Sequence, residues 1–78
     1  MTKVDYTIAI NFSYRQQASV CKFNGFTFIR YGKGSHEIWG NKGGVQIVLA
    51  PNGRGTTFAA TARQHKFEFY DARGKKVY

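Results

Sequence analysis

Acidic residues are scarce in this chain of 78 residues: four Asp and Glu stand against twelve Lys and Arg, for a formal charge of +8. The excess is spread out, with five cations against two acids through residue 40 and seven against two beyond it, so no basic tail accounts for it. A field of this sign and extent concentrates polyanions around a small domain, nucleic acid foremost. Cysteine occurs once, as Cys21, which excludes an internal disulfide and leaves a cysteine-built zinc site without ligands. That usage fits a reducing, cytoplasmic setting. Long apolar runs are missing too. Nothing approaches the roughly 18 apolar residues of a membrane span, and Met1-Thr2-Lys3 leads into alternating residues, not a signal-peptide core. No stretch forms the Lys-rich amphipathic helix that would suit a membrane surface.

What the chain does have is apolar and aromatic surface. Hydrophobic residues make up 42% of it and aromatic ones 17%, too much for a disordered segment. Its length allows one domain, residues 1–78, with a thin core. From Val4 to Phe12 large apolar residues alternate with Asp5, Thr7, Ala9 and Asn11, the period of a strand with one buried face. Ser13-Tyr14-Arg15-Gln16 fits a capping box. Tyr14, Ala18 and Cys21 follow at helical spacing with Arg15 and Lys22 outward, and Asn24-Gly25 supplies a left-handed stop. Phe26 to Tyr31, Ser35 to Trp39 and Val45 to Ala50 read as strands joined by glycine-rich turns too short for anything but antiparallel neighbours. Thr56 or Thr57 caps a second helix through about Gln64, with Phe58 and Ala62 on one face. His65 to Tyr78 reads as a hairpin around Asp71-Ala72-Arg73-Gly74.

The order predicts an α+β domain with helices on one face of a three-stranded antiparallel meander, plus an extra N-terminal strand and a C-terminal hairpin. Five large apolar side chains on one face of the N-terminal strand cannot stay in water. That strand is expected to pair with the chain's own sheet or, across a two-fold axis, with a second copy, giving a homodimer through residues 4–12.

One segment carries the chemistry. In Tyr31-Gly32-Lys33-Gly34-Ser35-His36-Glu37-Ile38-Trp39 two glycines expose backbone N–H groups beside a lysine, an arrangement suited to phosphate. A histidine follows at the entry to a strand, where the sheet can aim it, and histidine exchanges protons near neutral pH. Glu37, its neighbour on the strand, falls on the opposite face and is a poor acid partner; His65 is the other candidate for a second proton-transfer group. Trp39, in mid-strand, fits a core position better than a base-stacking one, and Cys21 fits a small buried apolar residue.

Asn24-Gly25-Phe26, Arg30 and Gly32-Lys33-Gly34-Ser35-His36-Glu37-Ile38-Trp39 together resemble the signature of the HicA family of mRNA interferase toxins. Gly55-Thr56 and Ala62-Arg63-Gln64 echo the pattern of that family's second helix. The resemblance is concentrated in residues 24–39. It implies a double-stranded-RNA-binding-domain-like fold and a metal-independent endoribonuclease needing no cofactor. It further implies His36 as the catalytic residue, Gly34 and Ser35 shaping its turn, and a HicB-like antitoxin as protein partner. RNA contacts are expected from Arg30, Lys33, Gly34, Ser35, Lys42, Arg54 and Arg63, which lie in turns, beside the motif or on the second helix. Two other readings stand beside this one. The same scaffold would serve as a non-catalytic RNA- or DNA-binding module, or as a small phage or plasmid protein-interaction domain.

Overall fold

The computed structural model describes residues 4–78. A 3₁₀ helix at Tyr6–Asn11 is followed by α1 (Tyr14–Phe23), β1 (Thr27–Tyr31), β2 (Glu37–Gly40), β3 (Gln46–Leu49) and α2 (Gly55–Gln64). The strands form one antiparallel sheet in the order β1-β2-β3. This is an α+β domain with an open three-stranded sheet. Trp39, Ile47 and Leu49 on one sheet face join Val20 and Cys21 of α1 and Phe58 and Ala62 of α2 in one hydrophobic cluster, so both helices lie on that face.

Local sequence explains most of the element ends. Ser13 Oγ accepts from the Gln16 N–H at 3.2 Å while the Gln16 side chain accepts from the Ser13 N–H at 2.9 Å, a reciprocal capping box that starts α1. At its other end the Phe26 N–H bonds the Cys21 carbonyl and the Gly25 N–H the Lys22 carbonyl, with Gly25 at φ +87°. This is a Schellman stop. The same motif ends α2, where Phe67 bonds Ala62 and Lys66 bonds Arg63, but here Lys66 takes the left-handed position at φ 55°. A non-glycine residue there costs roughly 1–2 kcal/mol. The turn directs Phe67 and Phe69 into the core, where they are 1% and 0% exposed. In α2, Arg54 is the N-cap and makes no side-chain capping bond, so neither Thr56 nor Thr57 has the expected capping role.

The N-terminal strand is not there. Asp5 caps the 3₁₀ helix in its place, its carboxylate accepting from the Thr7 N–H at 3.1 Å and the Thr7 hydroxyl at 2.6 Å. In a 3₁₀ helix residues three apart share a face, which aligns Tyr6, Ala9 and Phe12. Ala9, on the solvent side of an alternating strand, is instead fully buried, and Phe12 packs against Phe69 and Phe58. The segment lies against α2, with Gly55 so close to the Ile10 carbonyl that a Cβ there would collide with the backbone. The apolar side chains that motivated pairing with a second copy are thus largely packed against the chain's own core: Val4, Tyr6 and Ile8 are partly buried, and Ile10 remains exposed.

The tail is a minimal hairpin. Asp71 accepts from the Arg73 and Lys75 N–H groups in its turn, and a single bridge pairs Tyr70 with Lys76. Asn24 ties this arm to α1 by exchanging two hydrogen bonds with the backbone of Glu68, and Ser19 donates to the Val77 carbonyl.

Candidate nucleic-acid interface

The β1–β2 turn places the motif. The Gly32 N–H bonds the His36 carbonyl at 2.7 Å and the His36 N–H bonds the Lys33 carbonyl at 3.2 Å, with Gly34 at φ +65°. His36 therefore sits one residue before β2, on a closed turn, with an exposed side chain. Lys33, Gly34 and Ser35 are exposed around it. Arg30 pairs with Ile38, and strand alternation puts both on the face His36 shares.

Register shows which other expected residues come near. The last rung of the sheet runs Tyr31–Glu37–Leu49, next to the β1–β2 turn and to the loop entering α2. Arg54, in that loop beside Val48 and Ala50, lies at the same end of the molecule. Lys42 does not. It belongs to the turn after the Gly40–Gln46 rung, at the opposite end of the sheet. Arg63 lies in the last turn of α2, lining a cleft with Tyr6 and Thr7. His65 caps the C-terminus of α2 and rests on the rings of Phe26 and Phe67. A helix of 10 residues is about 15 Å long, so His65 is no partner for His36.

Glu37 is turned away from His36 and is 8% exposed. Tyr14 donates to both its carboxylate oxygens, at 2.9 and 3.1 Å, and Trp39 Nε1 donates at 2.9 Å. Trp39 itself is 2% exposed, a core residue whose one polar atom is satisfied by this bond. Burial, then the hydrogen bond to Glu37, pushes the Tyr14 phenol up to about 12. Burial first, then the Glu37 charge, pushes the Cys21 thiol to about 12 as well, leaving it an inert core residue.

These shifts carry a pH prediction. Both groups hold their protons more tightly folded than unfolded, so their contribution is whole below the unfolded values and is lost as pH rises through about 12. Urea midpoints of the wild type should fall between pH 9 and 12. Tyr14→Phe should start lower at neutral pH, because Glu37 loses a donor, and then decline less steeply above pH 10. An equally steep alkaline decline would show that the phenol does not carry it.

The electrostatics follow from where the four acids are used. Asp5 and Asp71 are taken up by their own turns, the former held below the usual carboxylate range by Thr7, and Glu37 is locked inside. Among the described residues, Glu68 is the acid with no such local bond to its carboxylate, and all eleven Lys and Arg side chains are exposed. Among the described residues no group of three or more His, Cys, Asp or Glu is placed to hold a metal, and no helix is long and apolar enough to cross a membrane. Sequence reasoning missed the inner side of β1, where Phe28 and Tyr31 are exposed beside α1. No family model matches the chain, and no curated protein or solved structure matches it.

Proposed function

We propose that the protein is a HicA-like, metal-independent endoribonuclease on a double-stranded-RNA-binding-domain-like scaffold, with His36 as its proton-transfer residue. The observation that carries this reading is an exposed histidine on a glycine-shaped turn, with Lys33 and Arg30 close in the chain and the neighbouring carboxylate turned into the core. The resemblance of residues 24–39 to the HicA signature supports it, as does the order of helix, three antiparallel strands and helix. In the reaction His36 takes the proton from a ribose 2′-hydroxyl. The 2′-oxygen then bonds to the adjacent phosphorus, the bond from phosphorus to the 5′-oxygen breaks, and that oxygen takes a proton from water. Lys33 and Arg30 offset the charge that builds on the phosphate. The products are a 2′,3′-cyclic phosphate and a 5′-hydroxyl, and mass spectrometry of a cleaved oligonucleotide identifies both ends. A 3′-hydroxyl with a 5′-phosphate would rule out this route. A HicB-like antitoxin would silence the enzyme by covering the turn.

The second reading, a non-catalytic RNA-binding module, is favoured by one observation: Glu37 and His65, the other proton-transfer candidates, both lie away from His36. The catalytic reading requires phosphate contacts at this end of the molecule. For a single strand, each contact contributes about −0.7 to the slope of log affinity against log salt. Lys33→Ala and Arg54→Ala should each make the slope shallower by about that amount. Lys42→Ala and Arg63→Ala should leave it unchanged. Salt titrations of the four variants check this, and a loss at Lys42 with none at Lys33 would place the RNA elsewhere.

A further inference from the structure

A groove of about 720 Å³ runs between α1 and the inner side of β1, and the cleavage chemistry makes no use of it. Its aromatic wall is Phe28 and Tyr31, 44% and 69% exposed, with ring centroids 5.1 Å apart at 66°. Tyr14 stands on the α1 side with Arg15 and Lys22, one helical face of cations opposite the rings. A bulge at Ile29 makes this possible. Phe28 pairs with Trp39 and Tyr31 with Glu37, so both rings point to the same face although they stand three positions apart. Without the bulge, alternation would put them on opposite faces. The groove ends at the Tyr31–Glu37 rung, next to the turn that carries His36. The one acid at that end, Glu37, is buried and engaged by two donors.

Exposed rings beside cations, with little apolar packing to occupy them, match what single-stranded nucleic acid requires: stacking faces for bases and positive charge for the backbone. We propose that this groove holds unpaired bases of the RNA strand whose phosphate lies at His36, so that the substrate is single-stranded there. The inference rests on the nucleic-acid reading above and names its substrate class. A strand crossing the Gly32–Ser35 turn presents phosphate to His36 on one side and stacks its next bases on Tyr31 and Phe28 on the other.

Fluorescence anisotropy with a 2′-O-methyl oligonucleotide, which cannot be cleaved, tests this beside a fully paired duplex of the same sequence. Tyr31 is exposed enough for Tyr31→Ala to leave the fold intact, which circular dichroism verifies. Tyr31→Ala should weaken single-strand binding about 5- to 150-fold, the loss of one stacked base, with an unchanged salt slope. Tyr31→Phe, which keeps the ring, should bind as wild type, and the duplex should bind more weakly than the single strand. If Lys33→Ala loses affinity while Tyr31→Ala binds as wild type, RNA is held at the turn and the groove proposal is overturned; the open edge of β1 then suits a protein strand. If the wild type binds neither oligonucleotide at low salt, the nucleic-acid reading falls and this inference with it.

Discussion

Replacing His36 by Ala should lower the rate of RNA cleavage by about 10²–10⁴-fold, the usual worth of a positioned general base. The affinity for uncleavable RNA should stay within a few-fold of wild type, because Lys33, Arg54 and the aromatic groove are untouched. The separation of the two effects is the informative part. His36 is exposed on a turn closed by backbone hydrogen bonds, so the imidazole contributes little to the fold, and melting temperatures of the two proteins should agree. Cleavage should proceed in the presence of a chelator. Equal degradation by wild type and variant, or by neither, removes the catalytic assignment and leaves the binding module.

Phe69→Ala should remove a large share of the domain's stability. Phe69 is fully buried and packs against both terminal segments of the chain: its ring centroid lies 5.5 Å from that of Tyr6, 5.4 Å from that of Phe12 and 5.9 Å from that of Tyr78. Truncating such a ring costs about 3–5 kcal/mol. A domain of this length holds roughly 4–12 kcal/mol in all, at about 0.05–0.15 per residue. At roughly 4–8 °C per kcal/mol the melting temperature should fall by well over 10 °C, or the transition should lose its cooperativity. A drop of only a few degrees would mean that the tail is an appendage and not part of the core.

The tail and the N-terminus are also where sequence reading and structure part most clearly. Between residues 13 and 49 the signals are local: a capping box, a glycine stop, and glycine turns between β-rich runs each determine their element within a few residues. Val4 to Phe12 has no such signal. Its apolar residues satisfy a period of two, and Tyr6, Ala9 and Phe12 satisfy a period of three, so only the packing against α2 decides. The end of α2 at about Gln64 is read correctly even though Lys66, not a glycine, occupies the left-handed position. At the site, the turn that carries His36 is legible from its glycines, and the placement of Glu37 on the face opposite His36 is legible from alternation. The aromatic groove is not, because the Ile29 bulge breaks the alternation that any reading of β1 assumes. Lys42 and Arg63 are expected contacts because one lies in a turn and the other on the second helix, and neither signal says which end of the molecule its residue occupies.

On the proposed function, RNA is held at the end of the molecule that carries His36, Lys33 and Arg54. The most direct measurement is an amide chemical-shift titration of the ¹⁵N-labelled protein with the 2′-O-methyl oligonucleotide. The amides of Tyr31 to Glu37 and of Arg54 should move together and saturably, while those of Asn41 to Gly44 and of Arg63 stay in place. Shifts centred on Asn41 to Gly44 or on the C-terminal arm, with residues 31–37 unmoved, would contradict it.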